Sequence, residues 1–278
     1  MKPIPVVFHI GPLQLHTYGL GLAITFWFAY RYLSRRLRAH GWADEWLASV
    51  TIWVVIAALV GARIVHVVAN WTSQYEHNPG QIVQVWNGGL SSFGGLMLGI
   101  PVGFILARRR GPRIPGLQMA DLVTPVLLAS WTIGRLLGPQ LMVRGGGHPT
   151  TAWYGMYYAG EVGKRLPVPL FQSAMTFVML LVAWRVERYV EHRGGPRGLV
   201  MSVGIMIWGV GRFIEEHFWL ARPGNGGDLA VQVTGVVLAV LGATISLILL
   251  ARQRATTSTP PNPATPDPSA GEGIAATA

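Results

Sequence analysis

The sequence contains no cysteine and few charged residues. Only 12% of its 278 residues are charged, against about 25% in soluble domains. Without cysteine the chain has no disulfide, no thiolate nucleophile of its own and no thiolate metal site. Acidic residues are especially scarce, with 12 Asp and Glu against 22 Lys and Arg, which gives a formal net charge of +10.

Hydrophobic residues, which make up 51% of the chain, occur in long runs. A transmembrane helix needs about 20 mostly apolar residues, and the runs predict an all-α membrane protein, a bundle of about seven transmembrane helices. The basic residues lie beside these runs, so the positive charge does not indicate nucleic-acid binding. The predicted spans are His16–Leu33, Trp46–Val68, Leu90–Ala107, Ala120–Leu137, Val168–Val186, Leu199–Leu220 and Leu229–Leu250.

The segments outside these spans have their own composition. Val6–Leu15 is apolar but too short to span, so an interfacial position is predicted. Gly138–Leu166 is rich in glycine and aromatic residues, and we expect it to cover the membrane surface. Residues 1–254 are predicted to form one integral-membrane domain without a cleavable signal peptide. Residues 255–278, rich in Pro, Thr, Ala and Ser, are predicted to form a disordered cytoplasmic tail.

The distribution of basic residues predicts the orientation of the chain. Most lysines and arginines lie in the loops after the first, third, fifth and seventh spans. The positive-inside rule therefore places these loops in the cytoplasm, the N-terminus outside and the C-terminus inside.

Three arginines, Arg63, Arg135 and Arg212, lie within the second, fourth and sixth spans, each near the predicted outer end. A single such arginine could be a snorkelling anchor or a salt-bridge partner. A charge in the membrane costs at least about 2.5–3.5 kcal/mol, and three like charges at one depth repel each other unless an anion lies among them. We predict that this anion is a lipid phosphate, which a guanidinium binds through bidentate hydrogen bonds.

Few acidic residues can neutralise these arginines. Glu215 and Glu216 follow Arg212 at helical spacings of three and four residues, so one of them is expected to pair with it. Asp121 begins the fourth span at the opposite, cytoplasmic end and is expected to be a capping residue.

Two features of the odd-numbered spans lie at the outer ends of these spans, at the predicted depth of the three arginines. Tyr18 is either an aromatic-belt residue or part of a site. The Gly94–Gly95 pair allows either close helix packing or the approach of a lipid headgroup to the backbone.

Several motifs, in this order and spacing, resemble those of bacterial prolipoprotein diacylglyceryl transferases, from Val6 to about Leu250. Pro167–Gln172 is similar to the family's Pro-Ser-Gln-Leu-Tyr-Glu, and Gly211–Glu216 is similar to its Phe-Arg-Phe-Ile-Val-Glu. The other motifs are Ile10–Leu20 with its Tyr18, Gly61–Ile64, Val85–Gly89 followed by Gly94–Leu96, Ile133–Leu136 and Gln232.

The resemblance implies a set of site residues. It implies catalytic positions for Arg135, Arg212, Tyr18 and Glu216 and substrate-binding positions for Arg63, Gly94, Gly95, Gln140, His148 and Gln232. It implies neither a metal nor a cofactor.

The resemblance also implies a reaction and a location. The family moves the diacylglyceryl group of phosphatidylglycerol to the lipobox cysteine thiol in the signal peptide of a prolipoprotein, and glycerol phosphate leaves. The substrate supplies the thiol, so the enzyme needs no cysteine. The implied partners are these two substrates and membrane lipids, not nucleic acid. The implied location is the bacterial cytoplasmic (inner) membrane, multi-pass, with the active site toward the outer leaflet.

The sequence departs from the family at two motifs. Phe93 stands where the family has a histidine before its Gly-Gly pair. Leu137-Gly138-Pro139-Gln140 replaces a segment with an important asparagine, and the glutamate after it is also missing. The histidines that could supply an imidazole to the site from the predicted outer side are His16, His148 and His217. Two alternatives therefore stay open: a transferase-like enzyme with another acceptor or lipid, and a non-catalytic paralogue that binds anionic lipid.

Overall fold

The structure, a computed structural model, describes residues 7–10, 13–84, 90–137, 145–222 and 227–258. Its helices are α1 (Thr17–Ala39), α2 (Leu47–Ala69), α3 (Ser92–Arg110), α4 (Gly116–Leu137), α5 (Val168–Arg193), α6 (Leu199–Ile214) and α7 (Leu229–Ser258). Its strands are β1 (Val7–Ile10), β2 (Leu13–His16), β3 (Met156–Tyr157) and β4 (Lys164–Arg165). Short turns of π-helix (Trp71–Tyr75 and Glu215–Leu220) and of 3₁₀-helix (Pro79–Val83) complete the described elements.

The prediction of an all-α membrane protein is confirmed. Each predicted span overlaps an α-helix, and the sixth also includes the π-helical turn Glu215–Leu220. Among the described helices, α2, α4, α5 and α7 are long and apolar enough to cross a membrane. Helix α7 continues to Ser258, beyond the predicted domain boundary at Arg254. The rest of the predicted tail lies outside the residues that the structure describes.

The short apolar segment at the start of the chain forms a β-hairpin. Strands β1 and β2 pair antiparallel, with Val7 opposite His16 and Ile10 opposite Leu13. The pairing satisfies backbone N–H and C=O groups that a segment too short for a membrane helix cannot satisfy by itself.

Glycines allow close packing between neighbouring helices. Helix α2 packs on α3 and helix α6 on α7. A Cβ atom on Gly61 of α2 would lie 2.3 Å from the carbonyl oxygen of Gly94 in α3. A Cβ atom on Gly209 of α6 would lie 2.4 Å from the carbonyl oxygen of Gly235 in α7. Small residues let helix backbones approach where apolar side chains give no net advantage over lipid.

Polar contacts join helix ends at one end of the bundle: the C-terminal ends of α1 and α5 and the N-terminal ends of α4 and α6. The carboxylate of Asp121 in α4 accepts hydrogen bonds from the peptide N–H groups of Gly198 (2.6 Å) and Met201 (2.8 Å). Asp121 is therefore a capping residue, as predicted, but the helix that it caps is α6. Arg36 of α1 forms a salt bridge with Glu187 of α5. These contacts fix α4 and α6, the helices that carry Arg135 and Arg212.

Candidate functional site

Arg135 lies in the last turn of α4, stacked on an aromatic pair. Its guanidinium carbon is 4.4 Å from the ring centroid of Trp131, one helical turn earlier. Trp131 in turn meets Trp208 of α6 edge to face, with centroids 4.7 Å apart. Such a cation–π contact is worth about 0.5–2 kcal/mol, more when it is desolvated. The guanidinium of Arg135 therefore lies over a tryptophan ring that packs against α6.

Arg212 lies in the last turn of α6 and shares a buried carboxylate with α5. It forms a salt bridge with Oε2 of Glu215, which confirms that one of the two predicted glutamates pairs with it. Gln172 of α5 donates a hydrogen bond of 2.9 Å from Nε2 to the same oxygen. Glu215 is 3% exposed and Gln172 is 4% exposed. The amide and the guanidinium thus satisfy a carboxylate that would otherwise be costly to bury.

The two arginines and Glu215 form one electrostatic group, the arginine–glutamate cluster (Arg135, Arg212 and Glu215). Arg135 is attracted by Glu215 and repelled by Arg212. Among the described residues, Glu215 is a carboxylate that attracts both guanidinium groups. Guanidinium groups of this kind can bind a phosphate through charge-assisted hydrogen bonds.

Glu216 points to different partners. It is 9% exposed, and its Oε1 accepts a hydrogen bond of 2.8 Å from the peptide N–H of Asp228. Asp228 caps α7 through the N–H of Ala230 (2.9 Å), and its carbonyl accepts the N–H of Gln232 (3.1 Å). Glu216 therefore fixes the start of α7. The catalytic role of Glu216 and the substrate-binding role of Gln232 stay predictions.

Arg63, the third arginine predicted to hold phosphate, binds backbone carbonyl groups. It is 8% exposed, and its Nε donates to the carbonyl of Ile82 (2.8 Å). Its Nη2 donates to the carbonyl groups of Gln81 and Gln84, and its guanidinium lies over the Tyr75 ring at 5.4 Å. These contacts secure residues 71–84 on α2. A role in lipid binding stays a prediction.

The glycine pair of α3 faces α2. A Cβ atom on Gly94 would lie 2.2 Å from the carbonyl oxygen of Gly61, and one on Gly95 would lie 3.3 Å from that of Ala58. Of the two interpretations, this geometry fits close helix packing. Contact between these glycines and a lipid headgroup stays a prediction.

The segment that holds His148 is bound to the π-helical turn that begins at Glu215. The peptide N–H of His148 donates to the carbonyl of Trp219 (3.2 Å), and its own carbonyl accepts the N–H of Leu166 (3.2 Å). At the preceding Gly147, a Cβ atom would lie 2.1 Å from the Trp219 carbonyl oxygen, so this contact requires glycine. The His148 ring nitrogen Nδ1 is 3.0 Å from the carbonyl oxygen of Pro149. The substrate-binding role of His148 stays a prediction.

Tyr158, in the same surface segment, is 2% exposed. Its hydroxyl has no hydrogen-bond partner in the described part of the chain. Burial, together with the nearby negative charge of Glu161, raises the pKa of Tyr158 to about 12. Tyr158 is therefore buried as a neutral phenol. Its side chain contributes to the packing of this segment.

The structure does not describe the side chains of some residues that belong to the predicted site or its motifs. The side chains of Tyr18 and Phe93 are not described, and Pro139 and Gln140 belong to the undescribed residues 138–144. Their roles stay predictions.

The predicted site residues did not include three side chains that support the cluster, namely Gln172, Trp131 and Trp208. The spacing of four residues between Trp131 and Arg135 was a visible signal for stacking. No such signal existed for Gln172, because its partner Glu215 lies on another helix. In the described segments no group of three or more His, Asp or Glu side chains could hold a metal ion.

Known proteins resemble this chain along most of its length. The family described as prolipoprotein diacylglyceryl transferase matches residues 5–252. The phosphatidylglycerol–prolipoprotein diacylglyceryl transferase of Methylibium petroleiphilum is 32% identical over 224 residues, covering 77% of this chain and 82% of that protein. The protein of the same name from Francisella tularensis subsp. holarctica is 30% identical over 265 residues, covering 90% and 94%. The chain belongs to the prolipoprotein diacylglyceryl transferase family.

Proposed function

We propose that this protein transfers the diacylglyceryl group of phosphatidylglycerol to the lipobox cysteine thiol of a prolipoprotein. The observation that carries the proposal is the arginine–glutamate cluster, in which Arg212 forms a salt bridge with the buried Glu215 and Arg135 is attracted by the same carboxylate. The family and the names of the relatives support the same reaction.

The reaction makes a specific electrostatic demand. The sulfur of the substrate cysteine attacks the glyceryl carbon, and the carbon–oxygen bond to the phosphate breaks with its electron pair left on oxygen. A thioether forms, glycerol phosphate leaves, and the thiol gives up a proton because thiolate is the nucleophile. Negative charge therefore grows on the phosphate as the bond breaks. Fixed guanidinium groups stabilise that charge more strongly in the transition state than in the bound lipid.

The proposal includes a location. Arg135 and Arg212 lie at the C-terminal ends of their helices, and the positive-inside rule puts these ends on the outer side of a seven-span bundle. Signal peptides of secreted prolipoproteins and outer-leaflet lipid would both reach a site at this level of the cytoplasmic membrane.

A lipidation assay tests the proposal. Purified protein is mixed with phosphatidylglycerol and a peptide that contains a lipobox cysteine, and the peptide mass is measured. We expect the added diacylglyceryl mass with the wild type, and a loss of about 100-fold or more in rate for Arg135→Ala and Arg212→Ala. Arg185→Ala is the matched control, because Arg185 is an exposed arginine of α5. No lipidated peptide from the wild type refutes the function, and full activity of both cluster variants refutes the phosphate role.

A second candidate function is a related transfer to another acceptor or from another lipid. The observation in its favour is Phe93, which replaces a histidine of the family motif and cannot accept a proton. Mass spectrometry of lipids and lipoproteins from a deletion strain distinguishes the two candidates. Altered lipids with unchanged lipoproteins support the second, and lipoproteins without diacylglyceryl support the first.

A further inference from the structure

A cavity of about 380 Å³, the α3–α4 cavity, lies between the C-terminal end of α3 and the start of α4. Among the described residues that line it, the charged ones are Arg108 and Arg113. Most of α4, about 28 Å of helix, separates Gly116 at this cavity from Arg135. The α3–α4 cavity is therefore separate from the arginine–glutamate cluster.

The guanidinium of Arg108 lies between the two helices that form the cavity. Its carbon is 5.0 Å from the ring centroid of Phe104, one turn earlier on α3, which is a cation–π contact. A Cβ atom on Gly116 would lie 2.9 Å from Nη2 of Arg108, so the guanidinium reaches the first residue of α4. In the part of the chain that the structure describes, neither Arg108 nor Arg113 forms a salt bridge with a carboxylate. Both side chains can therefore donate hydrogen bonds to an anionic ligand.

The turn that carries Arg113 is fixed to the bundle. Pro112 and Pro115 flank it, and each has a restricted φ angle. The peptide N–H of Ile114 donates to the carbonyl of Pro112 (2.7 Å). The side chain of Ile114 is buried in one cluster with leucines of α1, α2 and α4. The backbone that lines the cavity is thus ordered before a ligand binds, which lowers the entropic cost of binding.

An apolar stripe on the outside of α3 leads to the cavity. Met97, Ile100 and Phe104 precede Arg108 at spacings of three and four residues, so the four side chains share one helix face. The three apolar side chains are exposed. An acyl chain can lie along this stripe while its phosphate contacts the guanidinium groups. A soluble anion would leave the stripe unused, so the arrangement favours a lipid.

The cavity lies at the depth expected for lipid headgroups. It adjoins the last turn of α3, where Arg108, Arg109 and Arg110 follow the apolar part of the helix. Tryptophan is enriched at membrane–water interfaces, and the ring of Trp46 packs at the same end of α3. A Cβ atom on Gly111 would lie 2.9 Å from Cε2 of Trp46. In the orientation predicted by the positive-inside rule, these headgroups belong to the cytoplasmic leaflet.

We propose that Arg108 and Arg113 form a second lipid site, which binds the phosphate of an anionic phospholipid of the cytoplasmic leaflet with an acyl chain along the stripe of α3. Guanidinium groups bind phosphate through charge-assisted hydrogen bonds. Basic pockets between transmembrane helices on the cytoplasmic side suit anionic headgroups for the same reason. No bond is made or broken in this lipid. The inference does not depend on the proposed transfer, because the two sites lie at opposite ends of α4.

Photo-crosslinking in lipid nanodiscs tests the inference. Full-length protein is placed in phosphatidylcholine nanodiscs that contain a small fraction of phosphatidylglycerol with a diazirine in one acyl chain. After illumination, labelled peptides are identified by mass spectrometry. The variants are Arg108→Ala and Arg113→Ala. Arg109→Ala is the matched control, because Arg109 is an exposed neighbour on α3 that is not among the lining residues, and Arg135→Ala removes an arginine of the other site.

We expect the phosphatidylglycerol probe to label residues 97–119 of the wild type. Labelling there should fall by about fivefold or more in Arg108→Ala and Arg113→Ala and stay unchanged in Arg109→Ala and Arg135→Ala. A phosphatidylcholine probe with the same diazirine should label this region about fivefold less than the phosphatidylglycerol probe, and added inorganic phosphate should not reduce the labelling.

Three results overturn the inference. An equal loss of labelling in Arg109→Ala would show a diffuse effect of surface charge. Equal labelling of the wild type by the two probes would show no preference for an anionic headgroup. Loss of labelling on addition of inorganic phosphate would assign the arginines to a soluble anion. If a variant does not fold, the comparison of the two probes on the wild type decides.

The lipidation assay on the same preparations separates the two proposals. Peptide lipidation by a wild type that both probes label equally supports the transferase function and refutes the second lipid site. Preferential labelling by the phosphatidylglycerol probe without peptide lipidation supports the second lipid site and refutes the function.

Discussion

Replacement of Gly94 by alanine distinguishes helix packing from lipid contact at the glycine pair of α3. The added Cβ atom would lie 2.2 Å from the carbonyl oxygen of Gly61 and 2.7 Å from Cβ of Val65. Ordinary van der Waals contacts begin near 3.4 Å. Helices α2 and α3 must therefore move apart locally by about an ångström, as for other overpacked sites.

The expected cost follows from that overlap. Overpacking a well-packed contact costs about 1–3 kcal/mol. Alanine recovers about 0.5–1 kcal/mol through its higher helix propensity. We expect Gly94→Ala to lower the free energy of unfolding by about 1–2 kcal/mol and to lower Tm by several degrees.

Two other glycines supply matched controls. Gly95→Ala should be nearly neutral, because its Cβ atom would lie 3.3 Å from the Ala58 carbonyl. Gly19→Ala should be neutral or slightly stabilising, because it meets nothing within 4 Å. Thermal unfolding in detergent and phosphatidylglycerol binding are measured on all three variants. A Gly94→Ala variant with wild-type Tm but weakened lipid binding would refute the packing interpretation and support contact with the headgroup.

Three further predictions concern groups outside the arginine–glutamate cluster. Asp121→Asn replaces one acceptor by a donor at the start of α6 and should lower stability by about 1–3 kcal/mol; a Tm equal to that of the wild type would contradict the capping role. Arg63→Lys loses the planar fork that contacts several carbonyl groups, so hydrogen exchange should accelerate in residues 71–84, and unchanged exchange there would argue against that anchor. The pKa of Tyr158, about 12 in the folded protein against an ordinary 10, means that the folded state holds the phenolic proton more tightly than the unfolded state. The contribution of this tightly held proton to stability is complete below pH 10 and is lost as pH rises toward 12. The Tm of Tyr158→Phe should therefore fall less between pH 9 and 11.5 than the Tm of the wild type. An equal fall in Tm for both proteins would refute this prediction.

Hydrophobic runs in the sequence were sufficient to predict the helices, because a membrane helix satisfies its backbone within one contiguous segment. Each predicted span overlaps an observed α-helix, although the ends differ by several residues. The pairing of Arg212 with an acidic neighbour was also predictable, since residues three or four apart share a helix face. In contrast, the hairpin of β1 and β2 depends on pairing between two strands, which the short apolar segment did not indicate.

The sequence by itself determined which charges the chain must place within apolar helices: Arg63, Arg135 and Arg212, with too few acids to neutralise them. Only the tertiary structure decided how these charges are used. It holds Arg63 on backbone carbonyl groups and gathers Arg135, Arg212 and Glu215 into one cluster supported by Gln172. The physical reason is that a local pattern fixes the face of a helix on which a side chain lies. The charge and hydrogen-bond partners that it meets across a helix interface depend on packing between residues far apart in the chain.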